Sequence, residues 1–253
     1  MLQGAQAHGF LNDLWTLPRV AELIHRLWGV RLHPGHVWRV LGRLGWSLQR
    51  PAGRATQRDE AAIARGKKHT WPALKKALKE GRALVFVDES GLSERPSVVR
   101  TWAPKGQTPQ LTFSHAWGKL SVIAGITWWE FSFRLYRGSI RAAQAVNFLG
   151  HLRRQLPGKL LIIWNGLAVH RSRRVRDYVE GSEGELVLAR LPAYAPELNP
   201  AESIWGHLKQ HALANFCPRD IPHLSREARR QLRRSQRRPT LIRAFWQQAE
   251  LSL

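Results

Sequence analysis

The chain holds 253 residues, with 40 Lys and Arg against 18 Asp and Glu, a formal charge of +22 at pH 7. Hydrophobic residues make up 43% and aromatics 9%, with 12 Trp, which excludes generic disorder and suits one large domain or a small domain joined to a medium one. No apolar run approaches a membrane span, MLQGAQAHGFLNDLW lacks the basic and apolar stretches of a signal peptide, and the single Cys217 excludes an internal disulfide or a cysteine-rich zinc site. The expectation is a soluble intracellular protein with a polyanionic partner, nucleic acid above all, and no membrane.

Residues 16 to 50 read as two short helices and a turn. Val20, Leu23, Ile24 and Leu27 repeat at helical spacing, and Gly29 is a natural stop. After His33-Pro34-Gly35 a second stripe follows, Val37, Val40, Leu41 and Leu44, closed by Gly45. Two amphipathic helices on a tight glycine turn make a helix-turn-helix. His36, Arg39 and Arg43 then lie away from the stripe, where a recognition helix presents donors to DNA, and Trp46 to Gln49 suit a small wing. The same spacing also fits a plain helical hairpin with a solvated basic face; the overall charge favours DNA.

Residues 56–82 read as a Lys-rich helical connector. Ala83 to Val87 is wholly apolar and suits a strand buried on both faces, ending at Asp88-Glu89. From Thr101 to Tyr136, β-formers alternate with turn dipeptides such as Pro104-Lys105-Gly106 and Trp117-Gly118. Ala142 to Leu156 is helical, Leu160 to Trp164 a second buried strand ending at Asn165-Gly166, and Leu186 to Leu188 a third. A loop through Asn199-Pro200 leads into a helix to Gln210. The order βββ-α-β-α-β-α is that of an α/β layer fold with a mixed sheet. Beyond it Arg226, Arg229, Arg230, Arg233, Arg234, Arg237 and Arg238 fall in phase on one helical face, ended by Pro239. Seven arginines with only Glu227 among them favour phosphate contacts over a merely solvated face.

Asp88 and Asn165 stand at the carboxyl ends of two buried strands, the edge where ligands bind in open α/β sheets, and Glu202 opens a helix. Three oxygen side chains so placed suit a two-Mg²⁺ site, with metals roughly 3.5–4 Å apart activating one oxygen and stabilising another in phosphoryl transfer. Each also has a structural reading: Asp88 and Glu89 as turn residues, Asn165-Gly166 as a turn signal, Glu202 closing a capping box behind Asn199.

The strings VFVDESG, SVVRTWAPKGQTP, LIIWNGLAVHRS and LPAYAPELNPAESIWGHLKQ together resemble DDE transposases of the Tc/mariner superfamily, nearest the bacterial insertion-sequence six-thirty group. The resemblance runs from about residue 16 to the C-terminus. It implies an RNase H-like catalytic domain (83–215) behind a helix-turn-helix or winged-helix region (1–55), with a basic helical tail over 216–253. It further implies Mg²⁺-dependent cleavage and strand transfer, with Mn²⁺ a possible substitute, on double-stranded transposon-end and target DNA. The protein is then a homodimer on DNA, cytoplasmic and associated with the bacterial nucleoid. By position Asp88 is the first catalytic and metal-binding residue, Asn165 the second and Glu202 the third, and His170 matches the family's His.

The family carries Asp where this chain has Asn165, so the chain is expected to be impaired in cleavage. The alternative is an inactive DNA-binding remnant, or a competitor of active transposase. MLQGAQAHGFL also reads as the middle of a longer protein, implying an upstream helix-turn-helix. An RNA-binding role is weaker, because no RNP or KH signature is present.

Overall fold

The computed structural model describes residues 1–49, 60–113, 118–192 and 195–249. The chain divides into two compact units, Met1–Arg54 and Ala55–Leu253.

In the first unit, α1 spans Leu17–Trp28 and α2 Pro34–Arg43. The Thr16 hydroxyl accepts from the Arg19 amide, and Gly29 ends α1 at φ 69°, a conformation that favours glycine. His33 caps α2, its Nδ1 accepting from the Gly35 amide at 3.1 Å. Of the two stripes, Val20, Leu23 and Val37 are buried, whereas Leu27 and Leu44 at the helix ends are 56% and 68% exposed. Helices of 12 and 10 residues are too short to cover both ends of each other's stripe. Phe10 lies under the Arg19 and Arg26 guanidinium groups, and the Trp15 indole donates to the Met1 carbonyl. Trp46 to Gln49 form no strand, so the wing expected there is not built from those residues.

The second unit is organised by a five-stranded sheet: β1 Ala83–Ser93, β2 Lys119–Ile126, β3 Phe131–Arg137, β4 Leu160–Trp164 and β5 Leu186–Arg190. Their spatial order is β3-β2-β1-β4-β5, with β1, β2 and β3 antiparallel and β1, β4 and β5 parallel. Val85, Phe86, Val87 and all of β4 are buried, as wholly apolar runs covered on both faces must be. One face carries α4 (Ala142–Gln155) and α5 (Arg173–Glu180), which pack on Val85, Val87 and Ile123. The other carries α3 (Glu60–Lys79), α6 (Pro200–His207), α7 (Ile221–Gln236) and α8 (Pro239–Gln248), packed on Phe86, Val122 and Ala124.

Four sequence expectations change. The first strand does not stop at Asp88-Glu89, because pairing with β2 carries it on to Ser93 opposite Lys119. Thr101 to Thr112 hold no strand, only a turn in which the Gln107 amide donates to the Pro104 carbonyl; Trp117 lies outside the described residues. The helix α3 places Ile63, Leu74 and Ala77 in the core, so it is more than a connector. The C-terminal arginines do not sit on a detached tail: Leu224, Ala228 and Leu232 of α7 and Ile242 and Phe245 of α8 belong to the same core. Pro239 starts α8 as well as ending the run, and Arg237 and Arg238 lie beyond the end of α7. The Gln236 amide donating to the Phe131 carbonyl and the Trp246 indole donating to the Thr127 carbonyl, both at 2.6 Å, fasten these helices to the β2–β3 hairpin.

Candidate active site

Strand register brings the first two site residues together. Parallel pairing of β1 with β4 ends at Val87 opposite Trp164, so Asp88 and Asn165 are the next residues along each chain. Asn165 Nδ2 donates to Asp88 Oδ1 at 3.0 Å. The third residue arrives on α6, whose cap is the Asn199 side chain accepting from the Ala201 amide. Glu202 and Trp205 are three apart and share one face of that helix. Both reach Asp88: Trp205 Nε1 donates to Asp88 Oδ2 at 2.8 Å, and the Glu202 carboxyl shares a hydrogen bond with Asp88. The sequence reading placed Glu202 here and missed Trp205, although the i, i+3 spacing was available to find it.

The electrostatics follow from this crowding. Asp88 is 4% exposed, and its pKa is pushed up to about 7. Burial is the main cause and the neighbouring Glu202 charge adds to it, as does Glu89, while the Trp205 hydrogen bond works in the opposite direction. Glu202 stays open to solvent along much of its side chain; partial desolvation lifts its carboxyl, and Lys209 and the bond to Asp88 pull it back.

Glu89 points to the opposite face, as the strand pleat dictates. It is no turn residue, since its Oε1 lies 2.9 Å from His170 Nε2. His170 is buried, stacked on Trp164 at 3.6 Å between ring centroids, and its Nδ1 lies 2.9 Å from the Asn165 carbonyl. A carbonyl only accepts, so Nδ1 carries a hydrogen, and one proton lies between Nε2 and Glu89. This couple holds the backbone of residue 165 from behind, while the residue's side chain meets Asp88 in front.

Do these groups fit a pair of divalent ions? Asp88 and Glu202 offer hard carboxylate oxygens that suit one Mg²⁺. Asn165 does not complete the set as it lies, because it turns its NH₂ toward Asp88 while its Oδ1 accepts from the Leu167 amide at 3.2 Å. Flipping the amide sets its NH₂ against that N–H. Among the described residues no group of three or more His, Cys, Asp and Glu is gathered to hold a metal. The donors therefore fit one cation and not two.

The basic residues singled out in the sequence lie elsewhere. His36, Arg39 and Arg43 are exposed on α2, on the side away from buried Val37. Arg226, Arg229, Arg230, Arg233 and Arg234 are exposed along α7, and Arg237 and Arg238 just after it. Arg230 alone of these pairs with Glu227, at 2.8 Å.

A fold that brings acidic side chains to the edge of a mixed sheet is that of RNase H-like nucleases. Residues 83–224 match the DDE superfamily endonuclease family, and residues 12–70 match the winged helix-turn-helix family. The chain belongs to the DDE superfamily endonucleases. No match is found among curated proteins. Among solved structures it is similar to the Mos1 transposase paired-end complex with left transposon end, at 18% identity and a TM-score of 0.65, over 95% of this chain and 73% of that one. The mariner Mos1 paired-end complex with Mg gives 18% identity and 0.64, over 97% and 73%. The catalytic domain of Mos1 mariner transposase gives 14% and 0.56, over 78% and 92%. These likenesses establish the fold, and the helix-turn-helix followed by an RNase H-like domain is as the motifs implied. No helix of the described residues is long and apolar enough to cross a membrane.

Proposed function

We propose that the chain is a Tc/mariner-type insertion-sequence transposase, of the bacterial six-thirty branch, that binds transposon ends and is impaired in cutting them. The observation that carries this reading is the meeting of Asp88, Asn165 and Glu202 from two strand ends and a helix, with an amide in the middle position. His36, Arg39 and Arg43 read DNA on α2, and the arginines of α7 hold its phosphates. The protein works as a dimer on double-stranded DNA, at the nucleoid in the bacterial cytoplasm.

Asp88 and Glu202 hold one Mg²⁺, with Mn²⁺ as a substitute. When bound, the ion supplies Lewis acidity at a phosphodiester oxygen. Trp205 fixes one Asp88 oxygen, and the His170–Glu89 couple fixes the backbone of residue 165. What the chain lacks is the third anion. Losing one member of a set that acts as a unit costs several kcal/mol, and about 4 kcal/mol is roughly a thousandfold in rate.

The test compares cleavage of a transposon-end duplex by this chain and by Asn165→Asp, in Mg²⁺ and in Mn²⁺. The variant is expected to cut at least about a hundredfold faster; equal rates overturn the impairment. A second reading is supported by the bond from Asn165 to Asp88, which together with that from Trp205 engages both Asp88 oxygens without metal: the chain occupies transposon ends and competes with active transposase. On that reading the parent lowers cleavage by the Asn165→Asp protein when the two are mixed on limiting DNA.

A further inference from the structure

On the far side of the sheet from β5, β3 is an edge strand with α4 on one face and α7 on the other. A cleft of about 420 Å³ opens along that edge, walled by Arg134, His151, Gln155, Arg229, Arg233 and Gln236. Three elements contribute: Arg134 comes from β3, His151 and Gln155 from α4, and the remaining three from α7. No acidic residue lines it. Among the described residues none of the three arginines has a carboxylate partner, in a chain that pairs Arg230, Arg153 and Arg26 with glutamates elsewhere. Arg134 Nη2 instead donates to His151 Nδ1 at 3.3 Å, which leaves Nε2 of that ring as the hydrogen-bearing nitrogen. Guanidinium forks, the Gln155 amide and an imidazole N–H lining one cleft match the acceptor oxygens of a phosphate.

We propose that this cleft is a phosphate clamp that grips the backbone of duplex DNA beside the catalytic centre. The proposal rests on the DNA-processing reading above and adds Arg134, His151 and Gln155 to it. Two features favour DNA over an acidic peptide added to the strand edge. Exposed Arg226, Arg230 and Arg234 continue the cationic strip along α7, which suits a polymer of regularly spaced phosphates. The strand register also sets Phe133 opposite Ala124, and Ala124 opposite Asp88. The cleft therefore stands level with Asp88, two strand spacings or roughly 10 Å across the sheet. Arg134 itself pairs with Ile123 opposite Glu89 and so stands on Glu89's face of the sheet; a duplex at Asp88 reaches it around the β3 edge, within a single helical turn of roughly 34 Å.

The His151 ring reports occupancy. Burial chiefly holds its pKa below the ordinary value, with Arg134 and Arg154 adding to the effect. The groups facing it are Arg134 and Tyr136 from β3, Arg154 and Gln155 from α4, and Arg229 and Arg233 from α7. All the charged ones are cations, so an anion entering the cleft makes His151 easier to protonate.

The experiment uses the full chain in two arms. In the first, His151 is titrated by NMR with inorganic phosphate or chloride at equal ionic strength, its resonance assigned with His151→Gln. Phosphate is expected to raise the His151 midpoint by about half a unit or more while that of His207 stays put. In the second, a fluorescent duplex and a fluorescent oligoglutamate peptide are bound to the parent, Arg134→Gln and Arg134→Lys. Arg134→Gln is expected to weaken the duplex about three- to tenfold and flatten its salt slope by about one unit, with Arg134→Lys between. His151→Gln, whose circular dichroism and melting check folding, is expected to follow in the same direction. Unchanged duplex affinity and slope in both Arg134→Gln and His151→Gln overturn the clamp. A phosphate response without a duplex effect assigns the cleft to a free anion, and loss of peptide binding alone assigns it to an acidic protein; either result overturns it. If the parent itself binds no duplex, the DNA-processing reading fails, and the first arm still decides whether the cleft takes phosphate.

Discussion

The two charged regions of the second unit are built on opposite terms. At the strand ends, Asp88 is buried beside Glu202 and Glu89 and pushed up to about 7. Along α7, arginines stand in solvent with a single glutamate among them. The first arrangement sets one desolvated carboxyl near two other acids, where any change in protonation or cation is felt strongly. The second spreads like charges over a wet surface, where each is screened within about 10 Å at 0.1 M salt. On the proposed function, chemistry and affinity are separated in this molecule: rate and pH dependence belong to the acids, salt dependence to the arginines.

The sharpest way to break that separation is to remove an acid from a competent site. In the Asn165→Asp protein, Glu202→Gln is expected to lower end cleavage at least about a thousandfold while changing duplex affinity less than threefold. Parallel losses of binding and cleavage, measured on the same labelled duplex, erase the distinction.

The acid cluster also makes a stability prediction. The Asp88 carboxyl titrates higher in the folded chain than its ordinary 3.8, so the folded state binds its proton more tightly than the unfolded one. The stability this confers is fully present below pH 3.8 and is lost as pH rises through about 7. In metal-free buffer the Asp88 contribution falls over that window by an amount on the order of 2–4 kcal/mol. Denaturant melts of the parent and Asp88→Asn across the window isolate it, since the variant lacks this slope. Mg²⁺ at pH 7.5 is expected to restore part of the loss by binding only the folded state, and to do so more in Asn165→Asp.

Behind the site, His170→Ala or Glu89→Gln in the Asn165→Asp background is expected to reduce cleavage about 10- to 100-fold, the range typical of groups that orient metal ligands. Half-saturation in Mn²⁺ is expected to rise with it. A rate loss with unchanged metal dependence assigns the couple to packing alone.

How much of this was legible beforehand varies with the kind of interaction. The apolar runs of β1 and β4 announced themselves because a strand covered on both faces has no choice of residue type, and Leu160 to Trp164 needed no correction. The convergence of Asp88, Asn165 and Glu202 was readable because strand ends and a helix start gather side chains by topology. The reach of β1 to Ser93 was not, because it depends on antiparallel partners across a long loop rather than on its own residues. The Glu89–His170 couple is a hydrogen bond between residues 81 apart, which local periodicity does not carry, whereas Trp205, 117 residues from Asp88, is reachable only through its i, i+3 spacing from Glu202. The same holds for the cleft on β3, where Arg134 looked like one cation among 40 Lys and Arg.

The smallest expected effects belong to α7. Replacing Arg230, Arg233 and Arg234 together by Gln is expected to flatten the salt slope of duplex binding by about 2–3 units. The three are not equivalent. Arg230 already holds Glu227 at 2.8 Å, and Gln231 donates to the same carboxylate oxygen at 2.6 Å, so part of its charge is spent within the helix. Arg230→Gln alone is therefore expected to change the slope less than Arg234→Gln. Glu227→Gln, which removes the internal competitor, is expected to steepen the slope by up to about one unit. Anisotropy titrations of the single variants between 50 and 200 mM salt measure all three. Equal slopes for Arg230→Gln and Arg234→Gln mean that the Glu227 pair opens on binding, at which point the α7 arginines act as one undivided surface and the ordering among them disappears.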